Sequence, residues 1–192
     1  MQGGWPRGFT LIELLLVLAL MAVLTPVAAS SLAFLVRDAR LSATLNDFHA
    51  ALELARSHAL RSGHSTVVCK SGDGRRCTES GDWSQGWLIF EDRNQDGSCQ
   101  DNDADGYCDD DGGRLLRRGH GIDHLGLMLS ASGSNARHRV RFDAHGLARG
   151  YASTFSLCDL RRRQAPRGLV LSMTGRIRPA VAGDNIVCPA SA

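Results

Sequence analysis

Two arginines near the end of the chain have the spacing of a phosphate-binding pair. In the stretch TGRIR, residues 174–178, Arg176 and Arg178 are separated only by Ile177. In an extended segment, side chains two residues apart point to the same side, about 6–7 Å from one another. Guanidinium groups bind phosphate oxygens through paired hydrogen bonds, and Gly175 gives the backbone freedom to turn towards a phosphate. The pattern therefore favours contact with a nucleic-acid backbone.

Other arginines would extend such a surface. Residues 112–192 contain thirteen arginines, no lysine and only four aspartates. Aromatic residues are not interleaved with them, which disfavours stacking on single-stranded bases and favours duplex phosphates. An ordinary solvated face is an equally good explanation for these groups. The candidates expected beside the tail are Arg161, Arg162, Arg163 and Arg167, with a further run at Arg137, Arg139 and Arg141.

A second set of residues has the spacing of cation ligands. Residues 91–111 contain nine acids and one basic residue, Arg93. The insertion at residues 91–113 twice gives the pattern D-x-[DN]-x-D-G, in which alternate side-chain oxygens converge on a hard cation around a glycine turn. Neither copy has the glutamate at position twelve of an EF-hand loop, and an acidic turn without a cation is the alternative. The candidate calcium ligands are Asp92, Asn94, Asp96, Asp101, Asp103 and Asp105.

Motifs of catalysis are absent from the sequence. The seven histidines are scattered, and His120 and His124 share only a helical spacing within a glycine-rich stretch. No HExxH, G-x-S-x-G or phosphate-binding P-loop pattern occurs. The sequence therefore predicts a protein that is not an enzyme and that requires no cofactor, with calcium as the one candidate ligand.

These candidates follow a long apolar segment. No charged residue occurs between Glu13 and Arg37, and the 23 residues 14–36 would form a helix of roughly 34 Å, enough to cross a hydrocarbon layer of about 30 Å. A carboxylate at the edge of such a helix is costly and is usually kept for a partner. Length and Glu13 together favour a membrane anchor over a cleaved secretory signal peptide.

The remaining elements indicate an α+β domain. Apolar residues recur at three- and four-residue steps from Leu41 to Ala59, which predicts an amphipathic helix ending at about Arg61 before Gly63. Six short β-rich runs separated by Gly and Asp clusters follow. The runs are residues 66–70, 87–90, 125–129, 139–142, 154–157 and 169–173. We expect one long helix packed on antiparallel sheets.

The six cysteines indicate disulfides in an oxidising compartment, because the chain carries a membrane-insertion signal and contains no CxxC pair. Two pairs would close short loops around glycine-rich turns, and a third would tie the C-terminal tail to a strand that ends in cysteine. The predicted pairs are Cys69 with Cys77, Cys99 with Cys108, and Cys158 with Cys188.

The N-terminal stretch GFTLIELLLVLAL closely resembles the type IV prepilin signature. The resemblance implies that a prepilin peptidase removes residues 1–8 by cutting between Gly8 and Phe9, after which the new N-terminus is methylated. Glu13 would then pair with the N-terminal amine of a neighbouring subunit. Residues 9–36 would form the transmembrane and filament-core helix, and residues 37–192 the globular pilin domain.

Four further motifs resemble the GspH/FimT family of type IV minor pilins and pseudopilins: LARSHALRSG, TVVC, WSQGWLIFEDRNQDG and RGLVLSMTGRIR. The family implies the type IV pilin-like fold, and its FimT branch carries a GRxR tail motif associated with DNA capture in natural transformation. Gly175, Arg176 and Arg178 match that motif. The stretch from Ser98 to Gly113 departs from the family and looks like an insertion.

Three functions fit these features. The leading one is a minor pilin of a type IV pilus that binds double-stranded DNA for natural transformation. Its implied location is the bacterial inner membrane as a single-pass protein with a periplasmic C-terminal domain, and then the extracellular pilus. The second is a minor pseudopilin with a structural role in type II secretion. The third is a pilus-tip adhesin tuned by calcium.

Overall fold

The computed structural model describes residues 10–110, 112–161 and 164–188. Within these residues one long helix, α1 (Leu11–Ser62), precedes all the strands. The strands are β1 (Ser65–Lys70), β2 (Gly86–Asp92), β3 (Leu115–His120), β4 (Leu127–Ala131), β5 (Arg139–Phe142), β6 (Ser153–Asp159), β7 (Arg167–Leu171) and β8 (Ile177–Pro179). Short 3₁₀ helices lie at Trp83–Gln85 and Asp123–Leu125.

The chain divides into two compact units, Met1–Ala39 and Arg40–Ala192. The described part of the first unit is the beginning of α1, where apolar side chains such as Leu11 and Met21 are exposed. The Thr10 hydroxyl accepts a hydrogen bond from the Glu13 backbone N–H at 3.4 Å, as a helix N-cap does. Among the described residues, no helix combines the length and the apolar character needed to cross a membrane. The transmembrane helix expected at residues 9–36 stays a prediction.

From Arg40 onward α1 is amphipathic, as the sequence predicts. Its buried face consists of the apolar positions that recur at three- and four-residue steps: Leu41, Leu45, Phe48, Leu52, Ala55 and Ala59. The helix ends at Ser62, and the Gly63 N–H donates to the Ala59 carbonyl at 3.1 Å. Gly63 has a φ of +72°, the left-handed conformation that commonly ends a helix.

Two antiparallel four-stranded sheets make up the rest of the second unit. In the described chain, one sheet has the order β3-β2-β1-β5 and the other the order β4-β6-β7-β8. The α+β class and the helix-on-sheet arrangement are therefore confirmed. The sequence did not predict β3 or β8. β3 reads LLRRGH without a buried position, and β8 has only three residues and ends in a proline, so neither has a clear strand pattern.

The core forms where α1 meets both sheets. Phe48 on α1 contacts Trp83 and Phe155 with ring centroids 5.4 and 5.0 Å apart, and Trp83 contacts Phe155 at 5.7 Å. All three pairs are edge-to-face, an arrangement that adds to the stabilisation from burial. The Trp83 indole N–H also donates to the Ala136 carbonyl at 3.0 Å. Phe48 also contacts Trp87 of β2 at 6.4 Å, so the aromatic residues link the helix to β2 of one sheet and β6 of the other.

The acidic insertion has a packing role that the sequence did not predict. A second apolar cluster is formed by Val67, Leu88 and Phe90 of the first sheet together with Cys99 and Cys108 of the insertion. The insertion therefore covers apolar residues of that sheet. The structure forms the Cys69–Cys77, Cys99–Cys108 and Cys158–Cys188 disulfides, which confirms all three predicted pairs.

Candidate nucleic-acid interface and acidic loop

The arginines of TGRIR lie on a β-hairpin made by β7 and β8. The Ser172 N–H donates to the Arg176 carbonyl at 3.0 Å, and the Ser172 hydroxyl accepts from the Arg176 N–H at 3.2 Å. Arg176 is exposed at the turn, Ile177 is buried, and Arg178 is partly buried. The alternation places both arginine side chains away from the core, as the spacing predicts. Only Arg176, however, has a freely exposed side chain.

Gly175 has a structural role instead of facing a ligand. It is buried, with a φ of +77°, and a Cβ built on it would lie 1.9 Å from the Gly146 carbonyl oxygen. The expectation that Gly175 turns its backbone towards a phosphate is therefore not supported, because the neighbouring loop already occupies that space. The glycine is needed for close packing of the hairpin turn on the loop that follows β5.

Arg178 is held by an acid that the sequence analysis did not consider. Its Nη1 and Nη2 donate to the two carboxylate oxygens of Asp184 at 2.7 and 2.8 Å. The hydrogen bond from Arg178, followed by one from the Val181 backbone N–H, lowers the pKa of Asp184 to about 2. The pair therefore stays ionised at neutral pH. A phosphate would have to compete with a bidentate carboxylate for Arg178.

The other predicted arginines do not gather around the tail. Arg167 is partly buried at the start of β7, where its Nη1 donates to the Ser42 hydroxyl of α1. It therefore helps to join the strand to the helix. Arg161 is exposed in the loop between β6 and β7. Arg162 and Arg163 lie outside the described residues.

Strand topology separates Arg161 from Arg176. Arg167 pairs with Leu157 at one end of β7, whereas the hairpin turn follows Leu171 at the other end. The five steps from Arg167 to Ser172 correspond to about 17 Å along the strand. The Cys158–Cys188 disulfide brings Cys188 to the last residues of β6. Arg176, however, lies well before Cys188 in the sequence and is not held there by the disulfide. The two basic positions are thus at opposite ends of the hairpin.

The sequence analysis did not identify one arginine that lies next to the tail. Arg56 of α1 donates from Nε to the Gly146 carbonyl at 3.2 Å, and the same Nε lies 3.1 Å from the Cβ position of Gly175. In the sequence, Arg56 is one of several charged residues on the polar side of the amphipathic helix. Nothing in the local pattern links it to residue 175, because the contact depends on the loop after β5.

Two arginines of the third basic run, Arg139 and Arg141, contact the acidic insertion. Arg139 donates to the carbonyls of Asp96 and Gly97 at 3.1 and 2.8 Å, and Arg141 Nε lies 3.7 Å from a carboxylate oxygen of Asp92. One carboxylate of the first calcium motif, Asp92, is therefore already close to a guanidinium group. Asn94 of the same motif donates to the Asp96 carboxylate at 3.0 Å. Within the described chain, these residues form a turn with internal hydrogen bonds.

The second calcium motif differs from the arrangement that the sequence predicted. Carboxylate oxygens of Asp101, Asp103 and Asp109 lie within 4.8 Å of one another. Asp105, which the repeat pattern includes, instead accepts a hydrogen bond from the Tyr107 N–H at 2.8 Å. The structure thus brings two of the six predicted ligands, Asp101 and Asp103, close to Asp109. Asp109 was not among the predicted ligands, although it stands at the ninth position of a twelve-residue loop that begins at Asp101.

The processing site can be located only in part. Gly8 and Phe9 lie outside the described residues. Glu13 lies in the first turn of α1 and is exposed, where a carboxylate interacts favourably with the helix dipole. Its predicted pairing with the amine of another subunit stays a prediction.

Comparison with known proteins identifies the family. The family model described as "Type II transport protein GspH" matches residues 44–175, which is more than half of the chain. A model for the prokaryotic N-terminal methylation motif matches residues 6–25, which include Gly8, Phe9 and Glu13. No curated protein matches the chain.

Solved structures share the fold. The type IV minor pilin FimU of Pseudomonas aeruginosa aligns with a TM-score of 0.53 and 20% identity, over 77% of this chain and 92% of that one. A second crystal form of FimU gives a TM-score of 0.51 and 21% identity, over 74% and 94% of the two chains. The minor pseudopilin EpsH of Vibrio cholerae is more distant, with a TM-score of 0.45 and 14% identity over 74% and 98%. The chain has a type IV pilin-like fold and belongs to the GspH family of minor pilins and pseudopilins, whose members are processed at the N-terminal motif and assemble with other pilin subunits.

Proposed function

We propose that this chain is a minor pilin of a type IV pilus that binds double-stranded DNA at the β7–β8 hairpin, for DNA uptake in natural transformation. The observation that carries the proposal is the position of Arg176, which is exposed at the hairpin turn while Ile177 beside it is buried. Because hydrogen bonds of the turn already order the backbone at Arg176, contact with a phosphate has to order only its side chain. Arg178 is the second cation of the site, reached only in competition with Asp184.

The proposed cellular route follows from the N-terminal motif. The chain is inserted in the inner membrane as a single-pass precursor, with the globular domain in the periplasm, and becomes extracellular when the pilus assembles. In that position the hairpin meets DNA outside the cell. The partners of this proposal are duplex DNA, other pilin subunits and the prepilin peptidase.

The test is a salt-dependent binding measurement on the purified full chain in a mild detergent. Wild type should bind a 20-base-pair duplex weakly and without sequence preference, since phosphate contacts carry no sequence information directly. Arg176→Ala should lower the affinity about tenfold, an effect typical of one charge-assisted contact. The slope of log affinity against log salt should fall by about 0.9. Fluorescence anisotropy at several NaCl concentrations measures both quantities.

The matched control is Arg75→Ala, which removes the same charge at another exposed position. Arg75 follows the Lys70 end of β1, whereas the loop that packs on Gly175 follows β5 at the opposite end, where Phe142 pairs with Thr66. We expect its affinity to stay within about twofold of wild type, because long-range charge effects are largely screened at these distances. Equal losses in the two variants, or a folded Arg176→Ala that binds like wild type, would overturn the hairpin site.

Removing the competing carboxylate should strengthen binding. Asp184→Asn frees Arg178 and keeps an oxygen that can accept from the Val181 N–H. The affinity for duplex DNA should rise several-fold, and the salt slope should steepen by about one contact. Because the folded pKa of Asp184 is below its unfolded value, the ion pair is complete above about pH 4 and is lost only as pH falls towards 2. Mild acid at pH 5 therefore does not reproduce the effect, and unchanged affinity in Asp184→Asn would exclude Arg178 from the site.

A structural role in type II secretion is the second candidate, because the matching family model describes a type II transport protein. In that case the globular domain contacts other pseudopilins and the hairpin arginines are a solvated surface. Absence of duplex binding by folded wild type at low salt, together with association with pseudopilins, would favour this function over the first.

A further inference from the structure

We propose that Asp101, Asp103 and Asp109 form a calcium site at the Cys99–Cys108 disulfide of the acidic insertion. The three residues each offer a carboxylate oxygen, and these oxygens lie within 4.8 Å of one another. Calcium binds six to eight oxygen ligands at about 2.3–2.6 Å, and oxygens on opposite sides of one ion are up to about 5 Å apart. The separation in the structure is therefore compatible with three oxygens that share a single calcium ion.

An independent observation concerns Asp101 itself. Its side chain is fully buried, which is unusual for a carboxylate. Oδ2 accepts from Arg118 at 2.5 Å, but Oδ1 is buried and accepts no hydrogen bond from any described residue. A buried oxygen of a charged group without a partner is costly and calls for an unseen ligand such as an ion or water. Since Asp101 belongs to the three-carboxylate group, a cation there would satisfy it.

The charge balance points the same way. Asp101, Asp103 and Asp109 bring three negative charges together, and the cation that contacts this group in the described structure is Arg118, on Asp101. Asp109 also accepts hydrogen bonds from the Asn102 backbone and side-chain amides, at 3.1 and 2.7 Å. These bonds orient the carboxylate but leave its charge in place. A divalent ion would remove the remaining repulsion.

The covalent frame holds the ligands near one another before the ion binds. The Cys99–Cys108 disulfide has a Cα separation of 5.0 Å, and Asp101 and Asp109 lie two residues and one residue from its cysteines. The Asp109 N–H also donates to the Gln100 carbonyl at 2.7 Å. Calcium suits this loop better than magnesium, because Asp103 and Asp109 are exposed and water can complete a flexible coordination sphere, whereas magnesium demands near-ideal octahedral geometry.

Thermal unfolding of the full chain tests the proposal, with CaCl2, MgCl2 or NaCl at matched ionic strength after treatment with a chelator. An affinity of about 0.1–1 mM is typical of extracellular calcium modules. At 10 mM CaCl2 the melting temperature should then rise by about 4 °C, more than with either other salt. The double variant Asp103→Asn/Asp109→Asn should lose this increase, and calorimetric titration with CaCl2 should show at least a tenfold weaker Kd.

Asp105→Asn is the matched control, because it removes one charge from the same loop outside the three-carboxylate group and retains an oxygen for the Tyr107 N–H. Its Kd for calcium should stay within about threefold of wild type. The proposal is overturned if calcium raises the melting temperature no more than NaCl does. It is also overturned if Asp105→Asn weakens binding as much as the double variant, since that result indicates diffuse attraction to the acidic segment.

Discussion

Gly175→Ala should destabilise the folded domain by roughly 3 kcal/mol or more. An alanine with a φ of +77° adopts a left-handed conformation that costs about 1–2 kcal/mol for an L-residue. Its Cβ would also lie 1.9 Å from the Gly146 carbonyl oxygen, so the hairpin turn or the loop must move. That loop is tied to α1 by the bond from Arg56 to the same carbonyl, so a shift also disturbs the helix. Urea unfolding followed by tryptophan fluorescence measures the loss.

The control for this prediction is Gly63→Ala. Gly63 has nearly the same φ, +72°, but no atom lies within 4 Å of a Cβ built there. Its substitution isolates the backbone cost of about 1–2 kcal/mol. If both variants are equally stable, the close packing of the hairpin turn on Gly146 is not rigid. Gly175→Ala and Arg176→Ala also separate the structural role of the tail from its proposed role in DNA binding. DNA binding by Gly175→Ala should decrease in proportion to the folded fraction. Arg176→Ala should bind DNA weakly although it is folded.

Trp83→Ala should cost about 3–5 kcal/mol, the range for removal of a large buried aromatic side chain. Trp83 is 2% exposed and contacts both Phe48 on α1 and Phe155 on β6. Its loss leaves a cavity at the junction of helix and sheets. Domains of this size are commonly stable by only about 5–15 kcal/mol, so the variant should be close to unfolding. Circular dichroism during urea titration provides the measurement.

Trp83→Phe separates packing from hydrogen bonding. Phenylalanine keeps aromatic contacts with Phe48 and Phe155 but leaves the Ala136 carbonyl without its indole donor. We expect a loss of about 1–2 kcal/mol, part of it from the unpaired acceptor. A cost for Trp83→Ala no greater than that of Trp83→Phe would argue against the aromatic cluster as the element that joins α1 to the sheets.

Local patterns were sufficient for much of the architecture. The spacing of Leu41, Phe48 and Ala55 predicted the buried face of α1, because a helix repeats every 3.6 residues whatever it packs against. Gly63 predicted the helix end because glycine readily adopts the left-handed conformation that commonly ends a helix. Cysteine positions around short glycine-rich loops predicted two of the disulfides, and a cysteine at a strand end predicted the third. β3, which has no buried position, was missed.

The acidic insertion shows where local patterns fail. The repeated D-x-[DN]-x-D-G pattern singled out Asp101 and Asp103, which the structure brings close together, but it included Asp105 and left out Asp109. Asp109 joins the group through the Cys99–Cys108 disulfide and backbone contacts across the loop. The pattern also did not predict that Arg141 of β5 lies close to the Asp92 carboxylate, or that Arg139 donates to the carbonyls of Asp96 and Gly97.

For the tail, the sequence by itself determined that two arginines flank one isoleucine, and hence that in an extended segment their side chains point to the same side. Tertiary structure decided which arginine side chain is available to bind a phosphate. Arg178 is held by Asp184 across a turn, Arg167 by Ser42 of the helix, and only Arg176 is freely exposed among these three. Side-chain direction depends on local backbone geometry, which the sequence pattern specifies, whereas the partner of a charge depends on contacts between segments that only the complete fold brings together.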